Sequence, residues 1–429
     1  MRRGVIGFVA TLGLAAGLAA AGPKLSFEDL LANLKSPNTK TRVEAATELA
    51  KRGRREAIAP LSSLVRDPEP KVRYQVVRAL GALRDLTAAP ALLTSLGDGD
   101  PEIREEAISA LVELYAERDR ATPVGRFLQI FSDEYDRSSV PPHMTVDPGV
   151  IQALGNALKD EQRSVREAAA YGIGILNGRA ALPQLASALQ DVEPGVRGAA
   201  ATAMGKIGTA SDGKALVPLL ADESSGVRNR VLQALGVLRV KEAGPALRQM
   251  YEANRRKELG LKVLSCLSRI GDASQADLFL ELVQDADIER RRLAVEGLGR
   301  ISDAARLPDF KKDYQRARNE EMKLAYSFAL TLLGDRAFLD TLVLNLPSRT
   351  LGNRCRGYLL EMGSDILADL YPYLTDPDAD IRSALCDILA MVGDEGSIAR
   401  LAPLKDDPSP SVADRANRAI ERLRRLPPR

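Results

Sequence analysis

Aspartate and arginine recur along this chain at matched positions. Asp67, Asp98, Asp160, Asp191, Asp222, Asp285, Asp376 and Asp407 each stand five residues before a register position, and Arg42, Arg73, Arg104, Arg166, Arg197, Arg228, Arg291 and Arg382 each stand one residue after one. Such a row offers two chemistries. It is a line of acidic and basic site residues, or a ladder in which each Asp accepts backbone N–H groups in the turn before a helix while an Arg one unit away forks onto its carboxylate. Charge that returns with every period is the signature of a structural device. The ladder is therefore the reading adopted for Asp67, Arg73, Asp160, Arg166, Asp191, Arg197, Asp222, Arg228, Asp376 and Arg382.

The remaining reactive side chains are sparse. His143 is the only histidine, which leaves no His cluster for a metal and no Ser-His-acid arrangement in the repeats. No glycine-rich phosphate loop is present. Cys266, Cys355 and Cys386 fall in or beside an apolar stripe, where buried free thiols are expected; Cys355 and Cys386 sit in adjacent units and bond only if their helix axes approach closely enough. No catalytic residue, metal or cofactor is expected.

The elements that position these groups follow from the register itself. Its marks run from Thr41, Val72 and Ile103 through Val165, Val196 and Val227 to Ile381 and Val412, spaced by 31 with small drifts and one jump of 62 between Ile103 and Val165. Positions four, eight and eleven after each mark are apolar, Arg52 excepted, so offsets 0, 4, 8 and 11 trace one stripe of an α-helix. Pro90, Pro183, Pro245 and Pro308 stand eighteen residues after their marks, where a proline opens a second helix without losing a needed hydrogen bond. Each of the twelve units is a helix pair that must stack on its neighbours to bury both apolar faces. Alanine or glycine at offset seven, as at Ala79, Ala110, Ala203, Ala234 and Gly297, lets neighbouring helices approach closely.

Composition agrees with many small cores in series. The 429 residues hold no Trp and only 4% aromatics, and Leu, Ala and Arg dominate without strand-forming runs. Arg2 and Arg3 precede an apolar run that ends in Ala19, Ala20 and Ala21, the layout of a cleavable secretory signal over residues 1–21; an uncleaved membrane anchor is the alternative. Without the flanking residues of a twin-arginine motif, Sec export is the expected route. Removal of Arg2 and Arg3 takes the formal net charge from +2 to zero, so the mature chain makes no general electrostatic claim on nucleic acid. Residues 22–40 contain Ser26 and Asp29 around an apolar face and are expected to form a capping helix, with the repeats over residues 41–429.

The pattern D-x-x-x-x-[VI]-R followed by small and apolar residues and Gly, as in DVEPGVRGAAATAMGKIG and DPDADIRSALCDILAMVG, resembles the HEAT-repeat family, and especially the short phycobilisome-lyase-like HEAT repeats. The resemblance implies an all-α solenoid, a right-handed superhelix of helical hairpins with second helices lining its concave face. It does not extend to family members that are enzymes. Deoxyhypusine hydroxylases bind metal through His-Glu pairs, and this chain has no His-Glu dipeptide; the alkylpurine DNA glycosylases use a basic, aromatic-rich concavity, which a neutral chain without Trp does not match.

Two surfaces remain as binding candidates. The 62-residue jump holds an insertion at about residues 118–147, because a further helix there would place Pro142 in its interior; this segment carries Phe127, Phe131, Tyr135, His143 and Met144. The second is a cationic and aromatic patch in or beside second helices: Tyr251, Asn254, Arg255 and Arg256, then Phe310, Lys311, Lys312, Tyr314 and Arg316. The chain is expected to be an exported scaffold that binds a protein or peptide partner in the cell envelope through its concave face and the insertion. An accessory role in an enzyme or protein-modification system is the alternative.

Overall fold

The computed structural model describes residues 25–116 and 144–425. Phe127, Phe131, Tyr135 and His143, like the export segment at residues 1–21, lie outside the described residues. Every regular element among the described residues is helical, and the fold is an all-α solenoid. None of these helices is long and apolar enough to cross a membrane. Helix Phe27–Asn33 caps the first unit, with Ser26 and Asp29 closing a reciprocal capping box.

The first helices of the twelve units are α1 (Thr39–Arg52), α2 (Pro70–Leu83), α3 (Pro101–Tyr115), α4 (Arg163–Ile175), α5 (Pro194–Ile207), α6 (Ser225–Leu238), α7 (Glu258–Ile270), α8 (Ile288–Ile301), α9 (Glu320–Leu332), α10 (Gly352–Met362), α11 (Ala379–Val392) and α12 (Pro410–Arg424). Local chemistry sets their limits. Proline occupies the first turn of α2, α3, α5 and α12, and side chains of Asn38, Asp100, Ser224, Asp287, Asn319 and Asp378 cap free backbone N–H groups of α1, α3, α6, α8, α9 and α11. Eight units end their first helix on a positive-φ residue twelve places after the mark. Four of these residues are glycines; the others, Arg84, Asn177, Arg239 and Ser302, adopt φ of 51–59° at a steric cost. Most second helices begin as a single 3-10 turn and then turn α-helical, with Pro90, Pro183, Pro245 and Pro308 in the first turn.

The apolar stripe is the core. At offset eight, every residue from Leu49 to Ile420 is buried, and at offset four the same holds from Ala45 to Ala416. Successive first helices meet through a glycine at offset nine and a small residue at offset seven of the next unit. A Cβ on Gly81 would lie 2.8 Å from that of Ala110, one on Gly174 3.0 Å from the Ala203 Cα, one on Gly205 2.8 Å from the Ala234 Cβ, and one on Gly299 2.7 Å from the Ala329 Cα. The alanines were visible as close-packing residues in the sequence; their glycine partners complete the contact.

Arginine and aspartate link the units along one edge. The Nε and Nη2 atoms of Arg42, Arg73, Arg104, Arg166, Arg197 and Arg382 fork onto Asp67, Asp98, Asp160, Asp191, Asp222 and Asp407 at 2.7–2.9 Å. Nη1 of each Arg donates to the carbonyl six residues earlier, which from Arg73 onward belongs to its own unit's Asp. One guanidinium thus joins two turns and two units. The Arg104–Asp160 rung has the same form as the others although 56 residues separate its partners, so units 3 and 4 stack as neighbours across the insertion.

Two expected rungs are corrected. Arg228 donates only to the Asp222 and Glu223 carbonyls, because the next unit has Asn254 where its carboxylate partner would stand. Asp376 accepts the Asp378 N–H but no Arg fork, since the matching position one unit earlier is Gly352. The fork is therefore missing from Arg228 to Asp376, across units 6 to 11.

Candidate inner-face site

In the region without forks, first helices touch across more than one unit. Arg300 of α8 forks onto Glu361 of α10 at 2.7 and 2.9 Å, and the Tyr358 hydroxyl of α10 donates to Glu296 of α8 at 2.5 Å. Arg239, which ends α6, donates to the same Glu361 at 2.9 Å, four units away. Elements that are not neighbours in a stack meet only on the inside of its bend, so the first helices line the inner face of units 6–10. This reverses the arrangement implied by the resemblance. Within these units α8 and α9 meet closely, a Cβ on Gly299 falling 2.7 Å from the Ala329 Cα, whereas a Cβ on Gly244 in a second helix would find only side chains, 3.3 Å or farther. A stack bends toward its more closely spaced layer.

The contacts across units form one charged cluster. Glu296 bonds Arg292 and lies 3.5 Å from Arg300; Arg292 also pairs with Glu289, and Arg354 lies 3.9 Å from Glu289 and 3.3 Å from Glu321. Burial opposes the charge on Glu296, but Arg292 and Arg300, with the Tyr358 hydroxyl, hold its carboxyl below the usual range. Glu361 is likewise opposed by burial and held low by Arg300. Beneath this cluster Phe328 is fully buried, stacked on Tyr358 at 4.2 Å between ring centroids and covered by Arg300 at 5.0 Å.

Beside the cluster, α6, α7 and α8 surround a cavity of about 400 Å³. α6 supplies Asn229, Leu232 and Gln233, α7 supplies Leu261, Ser265 and Arg269, and α8 supplies Arg292 and Leu293. It opens where the Gly–Ala contact loosens. Cys266 replaces alanine at offset seven of α7, and a Cβ on Gly236 would stand 3.7 Å from its Cα, because the Arg269 stem fills the nearer space at 3.3 Å. The Arg269 guanidinium is disfavoured in its charged form first by burial and then by Arg300.

The residues singled out in the sequence lie elsewhere. Tyr251 is 1% exposed and belongs to the core, on the buried side of its helix with Leu247; this corrects its assignment as a surface binding residue. Phe310 is also buried, edge-on to Tyr326. Arg255 pairs with Glu252 and Glu281, Lys311 with Asp335, and the Tyr314 hydroxyl lies 3.1 Å from the Thr341 Oγ1. Arg256 and Lys312 are exposed. These residues follow or belong to second helices and are not brought together with the cavity. Met144 is partly buried against the core. The cavity residues were missed: Arg269, Arg300 and Glu361 share offset ten, but Lys51, Glu113, Lys206 and Arg422 stand there too, so the position did not set them apart. All three cysteines are buried free thiols, with burial pushing Cys355 and Cys386 up to about 12.

Comparison with known proteins fits this architecture. A family model for HEAT repeats matches residues 27–113, 151–236 and 213–299. No curated protein sequence matches the chain. Similar solved structures include the Escherichia coli protein YibA, at 18% identity and a TM-score of 0.44 over 65% of this chain and 93% of that one. An engineered protein matches at 19% identity and a TM-score of 0.36 over 93% and 98%. The complex of CpcE and CpcF of phycocyanin lyase from Nostoc sp. PCC7120 matches at 22% identity and a TM-score of 0.32 over 68% and 98%.

Proposed function

Because this chain belongs to the HEAT-repeat family, with repeats matched over more than half its length, we propose that it is a scaffold that binds a polypeptide partner along the inner face of its first helices. The observation that carries the reading is the cavity between α6, α7 and α8, which opens on that face beside a fixed cluster of charges. Repeat stacks bind through extended concave surfaces, since that side gathers side chains from many units around one segment. The proposal includes a second contact through residues 118–147, whose Phe127, Phe131, Tyr135 and His143 suit an apolar partner surface. It also includes export by residues 1–21, which places the partner in the cell envelope.

Crosslinking tests this in the native envelope. With a photoreactive residue at Gln233 or Ser265, the reading expects a discrete crosslinked polypeptide, and with the same residue at exposed Lys312 it expects none. Equal yields from both faces would reject the inner face as the binding surface. Deletion of residues 118–147 should weaken capture without lowering the helical content, and mature protein found only in the cytoplasm would reject export.

A further inference from the structure

We propose that units 10–12 form an arm that turns about α9 and is latched by Glu361 across the inner face, so that the bend of units 6–10 is the closed one of two positions. The inference rests on the reading of the inner face as a polypeptide-binding surface and adds what regulates entry to it: α10 is held against α6 and α8 when the latch is shut.

Around α9 the three devices that join successive units fail together. No fork links units 9 and 10, because Lys323 and Leu346 stand where the Arg and Asp would be. No glycine meets a small residue there, because Thr331 occupies offset nine of α9 and Tyr358 offset seven of α10. The apolar core is also divided. One buried body runs from Phe27 to Leu330 and a second from Leu324 to Leu423; α9 gives Met322, Ala325 and Leu330 to the first and Leu324 and Phe328 to the second. Other joints of units 6–11 lack the fork, but the core runs through them. The chain leaves α9 for its second helix through Gly334, at φ 98° with nothing within 4 Å of a potential Cβ, and that helix gives Leu339, Leu342 and Val343 to the second body. Two packed bodies that share one helix have the construction of a hinge.

The latch is polar and separable. Glu361 of the arm accepts the fork from Arg300 at 2.7 and 2.9 Å and a bond from half-exposed Arg239 at 2.9 Å, and the Tyr358 hydroxyl donates to Glu296 at 2.5 Å. Each group left behind keeps a partner when these bonds part. Arg300 retains the Ser268 Oγ of α7 at 2.9 Å and Glu296 at 3.5 Å, and Glu296 retains Arg292. The stack of Phe328 on Tyr358 joins α9 to the arm and is kept in both positions. On the outer layer the Tyr314 ring of unit 8 lies 4.9 Å from Phe338 of unit 9 and its hydroxyl 3.1 Å from the Thr341 Oγ1, so the pivot is outside and the opening inside. A polypeptide lying along α6 to α8 competes with α10 for that space and selects the open position.

The test uses the full chain with spin labels at Lys241→Cys and Glu395→Cys, exposed residues that both stand fourteen places after their marks, in units 6 and 11. The native cysteines are buried. Pulsed dipolar spectroscopy without any partner should give two distances, and Glu361→Gln should raise the ratio of the longer to the shorter at least about tenfold, the worth of a charge-assisted fork. Should Glu361→Gln lose its helical signal, Arg239→Gln serves instead; its half-exposed bond should shift the ratio about two- to fivefold in the same direction. Labels at Arg179→Cys and Lys241→Cys, in units 4 and 6 of the regular stack, should not respond. One distance that no folded variant changes, or an equal response from the second pair, overturns the inference and leaves the inner-face reading intact. Partner crosslinking at Gln233 should rise with the open population, and a yield that stays level while the distances respond overturns the regulation. Distances that respond without any crosslink at Gln233 reject the inner face and leave the joint in place.

Discussion

The rung between Arg197 and Asp222 offers the sharpest test of how the units are joined. Arg197→Ala removes two bonds to the carboxylate, at 2.7 and 2.9 Å, and two to the Asp191 and Val192 carbonyls, at 2.9 and 3.1 Å. The side chains are 10% and 6% exposed, which places the pair nearer the buried class than the solvent-screened one. Breaking a buried pair costs roughly 3–5 kcal/mol. Asp222 keeps one partner, the Ser224 N–H at 2.8 Å, and water can enter at the edge of the stack, so the cost expected here is about 2–3 kcal/mol. Arg197→Lys should recover less than half of it, because an ammonium cannot bond both oxygens and both carbonyls.

A double-mutant cycle with Asp222→Asn isolates the pair from the carbonyl bonds, and urea unfolding gives each corner. A long repeat stack need not unfold in one step, so hydrogen exchange of the α5 and α6 amides is measured alongside and should show the loss confined to that interface. The bond to Arg197 holds the Asp222 carboxyl below its ordinary value. A carboxyl depressed in the folded state stabilises fully above its unfolded pKa and loses that contribution as pH falls through the folded one. The difference between wild type and Arg197→Ala should therefore be constant at neutral pH and shrink below about pH 4. A coupling energy under about 0.5 kcal/mol, or a difference that does not respond to acid, would refute the rung as a fastening.

Three further outcomes follow from the packing. Gly205→Ala drives a methyl against the Ala234 backbone and should cost about 1–3 kcal/mol, whereas Gly226→Ala, whose nearest neighbour is Ser224 Oγ at 3.5 Å, should be neutral or slightly stabilising; equal melting temperatures would reject the Gly–Ala contact. Ser302→Gly removes a non-glycine residue from φ 59° and should raise stability by about 0.5–1 kcal/mol, measured by urea midpoint. Cys355 and Cys386, buried and raised to about 12, should react with a thiol reagent at pH 8 only as fast as their units open, so rapid labelling of native protein would contradict their placement.

The fold was legible because the repeat states each structural demand many times. Leu80, Leu111 and Leu235 share one offset and one environment, and a single mutation in one copy does not erase the rule. The direction of bending was not legible. It shows in contacts such as Arg239 and Arg300 with Glu361, relations between distant helices that the period of any one does not contain. Tyr251 was misplaced for a related reason: an aromatic beside Arg255 reads the same whether its ring faces solvent or the core. The cavity residues belonged to no motif. Arg269 acquires its meaning from Glu361 and Glu296, which lie in other helices and, for Glu361, three units away, while Arg292 bonds Glu296 within α8.

The same stretch loses the ladder and gains the cluster, and the two changes are linked. A rung holds consecutive units at one spacing, since the fork fixes Arg and Asp at 2.7–2.9 Å along the edge of the stack. Where Asn254 and Gly352 remove the partners, that edge no longer sets the spacing, and the inner layer is free to close until α8 meets α10 and Arg239 reaches Glu361. Ion pairs then hold α6 and α8 against α10 across the bend. The cavity sits at the entrance to this bend, between the last unit with a fork behind it and the first helices that meet across the curve. A segment bound there would touch both regimes, so its binding and the curvature of units 6–10 are coupled through Arg292, which lines the cavity and bonds Glu296 of the cluster. Glu296→Gln, with the Tyr358 bond weakened and Arg300 less compensated, should therefore loosen the α8–α10 contact in hydrogen exchange and alter binding at the cavity together. A change in one without the other would show that the cluster is a local brace, independent of the site.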